Sequence, residues 1–216
     1  MYKKSDFKNW VKNVRFLSRT IEMYSLLEGE LVNNLSETGG DNLWIFFSQQ
    51  FLKDNGWKIL PLWEGDLRQL RLLDGTKIYL MDRVRQHCLT AGVRNFCTAT
   101  IERQSWEFNS FSEGILLASR TLDLSSENPS DLFKLDELNV PNWGNNFYWP
   151  DNEQFIIYSN GDTGGFIASE TDVLVSIVGL TYEYCSDRFK LAHSNLINSD
   201  NYVNAFMNFC DEINRN

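Results

Sequence analysis

The residues with the most chemical promise lie between 155 and 170, in FIIYSNGDTGGFIASE. Asp162-Thr163-Gly164 is the core triplet of an aspartic-protease signature, and the glycines around it have the composition of a phosphate-cradling loop. Both chemistries make positional demands. An aspartic-protease aspartate directly follows an apolar strand and needs a second copy, because two carboxylates share one proton. Here Asn160-Gly161 intervenes and the chain holds no second triplet; a homodimer of the retroviral kind would supply one, but such subunits are much shorter. A phosphate loop needs a helix that starts at the glycines, so that N–H groups face the anion. Phe166, Ile167 and Ala168 instead alternate as a strand. Phe155, Ile157 and Ser159 fall on one face of a preceding strand, and Ile156 and Tyr158 on the other. The stretch therefore reads as a hairpin with a glycine-rich turn.

The rest of the catalytic inventory is thin. Of two histidines, His87 adjoins Cys88 within a helical pattern, and His193 lies in the polar stretch LAHSNL as a surface residue. Neighbours on a helix point about 100° apart, so His87 and Cys88 make no dyad. Nothing brings Cys185 to His193, eight residues on. No HExxH, GxSxG or GxxxxGK[ST] pattern occurs. Carboxylate pairs such as Asp136-Glu137 and Asp151/Glu153 arise by chance among 29 acids, and no acidic run has calcium-loop spacing. The reading is a protein with no catalytic residues, no metal and no cofactor.

The elements that must carry any site follow from periodicity. Phe7, Trp10, Val14, Leu17, Ile21 and Tyr24 form one helical face, which can run to about Leu35 before Gly39-Gly40. Asp41 can cap a second helix with Leu43, Trp44, Phe47, Phe51 and Leu52 inward and Asn55-Gly56 as its stop. Strands are expected over 57–62, 67–73 and 77–80, with Asp74-Gly75 as a type I′ hairpin turn. A helix over 82–91 stops at Gly92, and 93–101 favours a strand. Residues 105–125 are ambiguous, with Gly114 to Ala118 as a strand candidate; 128–131 turn into a short helix. Residues 139–146 read as loop, and the run from Trp143 to Pro150 as irregular, because Gly144 and Pro150 bracket it. Ser169-Glu170-Thr171-Asp172 resembles a capping box for a helix through Val178. Asp200 can cap a last helix whose apolar face is Tyr202, Val203, Phe206, Met207, Cys210 and Ile213. The sum is a single α+β domain over 1–216: a helical part at 1–56, a mainly antiparallel mixed sheet region at 57–180, and a helical part at 181–216 that closes the core.

Composition supports a packed core: 43% of residues are hydrophobic and 14% aromatic. No apolar run approaches the roughly 20 residues that span a bilayer. The basic N-terminus has no signal-peptide core, so the expected location is the cytoplasm. There Cys88, Cys97, Cys185 and Cys210 are expected to be reduced and mostly buried. The net charge of −9 is uneven: residues 1–108 carry +2 and residues 109–216 carry −11. Such a half repels nucleic acid and suits a basic protein partner.

The acidic half is also aromatic, with Phe108, Phe111, Trp143, Phe147, Tyr148 and Trp149. Aromatics beside carboxylates can anchor an interface, or can finish a core. The candidate contact set is Asp123, Glu127, Asp131, Asp136, Glu137, Trp143, Trp149, Asp151, Glu153 and Asp162. Residues 148–169 run Tyr-Trp-Pro-Asp-(x)3-Phe-Ile-Ile-Tyr-Ser, then Gly-Gly-Phe-Ile-Ala-Ser. This stretch, about a tenth of the chain, resembles the C-terminal part of small acidic bacterial immunity proteins. That resemblance implies a non-catalytic protein without cofactor that caps a cognate toxin, and it carries over no contact residues. The alternatives are a small intracellular hydrolase or transferase using facing carboxylates in a cleft, and a regulatory subunit with a large apolar patch.

Overall fold

The structure, a computed structural model, describes residues 49–63, 69–103, 114–125, 145–160, 164–194 and 201–215. The helix expected over 7–24 and the start of the second helix lie outside them, as do the short helix after Pro129, Trp143 and Asp200. The described elements are α1 (Gln49–Asp54), β1 (Lys58–Leu62), β2 (Gln69–Arg71), β3 (Lys77–Tyr79), α2 (Leu80–Thr90), β4 (Asn95–Arg103) and β5 (Gly114–Asp123). There follow β6 (Asn145–Pro150), β7 (Phe155–Asn160), β8 (Gly164–Ser169), α3 (Thr171–Ile177), α4 (Tyr182–Ala192) and α5 (Asn201–Asn214). The fold is α+β. One six-stranded sheet has the order β1-β8-β7-β6-β4-β5, with every pairing antiparallel, and β2 and β3 form a separate hairpin.

Strand parity sorts the core into two faces, since alternate residues point to opposite sides. On one face Leu60, Ile167, Ile157, Tyr148 and Phe96 pack with Leu80, Met81, Val84 and Cys88 of α2 and with Leu174 and Ile177 of α3. On the other, Phe147, Tyr158 and Phe166 sit opposite one another across β6, β7 and β8, with ring centroids 5.3 and 5.4 Å apart. The row continues through Phe166 to Phe206 of α5, and from Phe206 to Phe189 of α4. Such aromatic pairs add about 0.5–1.5 kcal/mol each beyond simple burial. All six residues of β8 are buried, as a strand covered on both faces must be.

Local signals set several boundaries. Gly56 and Gly92 take positive φ of 64° and 75° just past the ends of α1 and α2. Each end closes in the six-to-one and five-to-two hydrogen-bond pattern: Trp57 N–H donates to Leu52 O and Gly56 N–H to Lys53 O, and Val93 and Gly92 do the same to Cys88 and Leu89. In α5, Val203, Phe206, Met207, Cys210 and Ile213 form the buried stripe that their spacing predicts.

Three expectations are corrected and one is extended. Residues 145–150 are a strand between β4 and β7, not irregular chain; Pro150 is tolerated because it is the last residue of that strand. The strand expected over 114–118 is present and runs on to Asp123. The Asp74-Gly75 turn is not type I′, because only Gly75 has positive φ (86°). Gly75 N–H donates to Leu72 O and the Asp74 carboxylate accepts from Thr76 N–H, giving a three-residue loop with a left-handed glycine. Finally, Glu170 caps α3 without a side-chain bond, and the Ser169 hydroxyl donates instead to Gln154 O.

Candidate functional site

The glycine-rich stretch is resolved by its neighbours. β7 and β8 pair from Phe155↔Ser169 to Asn160↔Gly164, so three residues, 161–163, connect them. Asp162 and Thr163 lie outside the described residues. A Cβ built on Gly165 would lie 1.8 Å from Tyr158 O, and one on Gly164 would lie 2.4 Å from Leu62 O. These glycines are there because β8 is squeezed between two backbones.

Three candidate acids converge. β4 begins at Asn95, which sits opposite Asp123, the last residue of β5. The same Asn95 accepts at its carbonyl from Asp151 N–H (3.1 Å) and donates its side-chain amide to the Asp151 carboxylate (3.1 Å). Asp151 opens the β6–β7 turn, which closes through Glu153 N–H to Pro150 O at 2.9 Å, with Glu153 at φ 51°. Asp123 and Asp151 are exposed and Glu153 is half-buried. The Ser125 hydroxyl and backbone N–H hold the Asp123 carboxyl below its ordinary range, and Arg94 nearby acts in the same direction. An exposed carboxylate stabilised in its charged form offers negative charge, not a proton. The field reaches inward: burial, together with Asp151 and Glu153, pushes the Cys97 thiol up.

Trp149 does not join this surface. It is only 7% exposed on β6, so its aromatic mass finishes the core and its place as a displayed anchor is withdrawn. Glu127, Asp131, Asp136, Glu137, Trp143 and Asp162 lie outside the described residues. Among the described residues no cluster of His, Cys, Asp and Glu could hold a metal ion, and no helix is long and apolar enough to cross a membrane. All four cysteines are free thiols, three of them buried.

His193 is a correction as well. It is buried, its ring stacks on Phe189 at 4.3 Å, and its Nδ1 donates to Phe189 O at 2.8 Å. Cys185 packs instead on the opposite core face with Leu180 and Tyr182.

A second polar cluster escaped the sequence reading. Arg83, Gln86, His87 and Thr90 recur at the spacing of one helix face along the outer side of α2. With Ala91 and Ser176 of α3 they line a cleft of about 570 Å³. His87 Nδ1 lies 3.0 Å from Ser176 Oγ, and Arg83 Nη2 donates to Ser176 O at 2.8 Å. No local pattern announces the pair, because 89 residues separate its members.

Fold and surface together define an α+β protein with an open antiparallel sheet, helices on both faces, and acids gathered at one sheet end. The chain matches no protein-family model, no curated protein and no solved structure.

Proposed function

We propose that this is a binding protein that acts in the cytoplasm and caps a basic bacterial toxin domain, as an immunity protein does, by a capping surface that is itself non-catalytic. The observation that supports it is the meeting of Asp123 and Asp151 at Asn95 at one sheet end, with Glu153 in the turn that Asp151 opens. A nuclease toxin is basic because it binds polyanions. Carboxylates presented by a rigid sheet end take the place of phosphates and steer the encounter. Glu127, Asp131, Asp136, Glu137 and Asp162 are further contact candidates from the same acidic half. A carboxylate hydrolase would instead need an acid kept protonated, whereas Asp123 is held ionised.

The test is titration calorimetry against a basic toxin domain encoded beside this chain, at two salt concentrations. Asp123→Lys with Asp151→Lys is expected to weaken binding by about tenfold or more and to flatten its salt dependence. Unchanged affinity with an unchanged salt response would overturn the reading.

A further inference from the structure

The cleft between α2 and α3 holds the three parts that acyl transfer requires, and none of them belongs to the acidic surface. Ser176 is exposed, so its hydroxyl is open to a substrate. His87 Nδ1 stands 3.0 Å away, within the 2.6–3.2 Å over which a base takes a hydroxyl proton. The imidazole is half-buried and desolvation lowers its basicity, so it is neutral and can accept. One side of the ring meets Phe155 edge-on at 6.1 Å. Its Nε2 is buried without a hydrogen-bond partner of normal geometry, and the Gln154 amide beside the ring favours a protonated nitrogen. A proton on Nε2 leaves the Nδ1 lone pair for the Ser176 hydroxyl. Arg83, bound through Nη2 to the Ser176 carbonyl, brings a guanidinium to the residue that carries the nucleophile. Nucleophile, base and positive charge therefore converge on one open cleft.

We propose that Ser176, His87 and Arg83 form an acyl-transfer site for small carboxylic esters. Ser176 Oγ bonds to the acyl carbon while its proton passes to His87 Nδ1. The ester C–O bond then breaks, and the leaving alkoxide takes that proton from His87 and departs as the alcohol. Water attacks the acyl-serine with His87 again as base, which releases the carboxylic acid and restores the hydroxyl. Arg83 balances the negative charge on the carbonyl oxygen in both halves. Gln86 and Thr90 line the cleft wall beside these residues.

The experiment uses the full chain with p-nitrophenyl acetate and, separately, an alkyl fluorophosphonate, read by released p-nitrophenol and by intact mass with peptide mapping. The expected result is one adduct on Ser176 in folded protein. Ser176→Ala abolishes it, and His87→Gln slows it by about a hundredfold or more. Leu191→Ala, an exposed position that does not line the cleft, retains it. Because Ser176 is exposed, its alanine variant folds and gives a clean comparison even if His87→Gln does not. Absence of any adduct, or an adduct formed at the same rate in Ser176→Ala, overturns the proposal.

Discussion

The Asn214 side chain closes the open edge of the sheet on Ile59. Its Oδ1 accepts from Ile59 N–H at 3.1 Å and its Nδ2 donates to Ile59 O at 2.8 Å, as a neighbouring strand would. The same Nδ2 also reaches Cys210 O at 2.9 Å, tying the α5 terminus to the edge. Two residues along from Ile59, Pro61 occupies the same outward-facing register, where the N–H it lacks has no ladder partner to lose. A terminal helix thus protects an edge that would otherwise invite pairing with another chain.

Asn214→Ala leaves both Ile59 groups without this partner. A stability loss of about 1–3 kcal/mol is expected, as for unsatisfied, part-buried backbone groups. Urea denaturation should show a lower midpoint with an unchanged slope. A variant as stable as the parent would mean that water replaces Asn214 at no cost.

Gly165→Ala puts a methyl group where the Tyr158 carbonyl already is. The obstacle is backbone, so no rotamer change relieves it. Loss of about 3 kcal/mol or more is expected, beyond ordinary overpacking. Thermal unfolding by circular dichroism measures it, and a loss below about 1 kcal/mol would refute the close approach.

Acid should destabilise the protein through His87. Burial lowers its folded-state pKa below 6.5, so the unfolded chain takes up the proton first. The stability is complete above about pH 6.5 and is lost as pH falls through the lower folded value. Beside the ring stand Ser176 on α3 and Gln154 with Phe155 at the start of β7, and the Gln154 side chain offsets part of the burial effect. In denaturant titrations from pH 8 to 5, His87→Gln should show a flatter decline than the parent. Parallel curves would exclude His87 as the source.

Thiol accessibility should separate the cysteines. Cys97 is half-buried, whereas Cys88, Cys185 and Cys210 are buried, and burial pushes the Cys88 thiol up to about 12. A thiol-specific reagent at pH 8 should modify one cysteine in the native state, Cys97, and slowly, because its pKa is raised too. The other three should react only on unfolding. Rapid native labelling at Cys210 would contradict the packing of α5.

The sequence carries what is decided within a few residues of itself. The stripe of α5, the stops at Gly56 and Gly92, and the β7–β8 hairpin all follow from spacing and turn chemistry, which act over one turn or one strand pair. Tertiary structure decides what depends on a distant partner. β6 reads as loop because Gly144 and Pro150 flank it, yet pairing with β4 and β7 makes it a strand and buries Trp149. His193 sits among polar neighbours but finds Phe189 one turn back. The acidic half was visible as composition, while the meeting of Asp123 with Asp151 required Asn95, a residue from the first half of the chain. His87 and Ser176 became a pair only when α2 and α3 packed on the same sheet face. Local propensity is written residue by residue, but the juxtaposition of remote side chains is fixed by burial of a shared core, which periodicity alone does not specify.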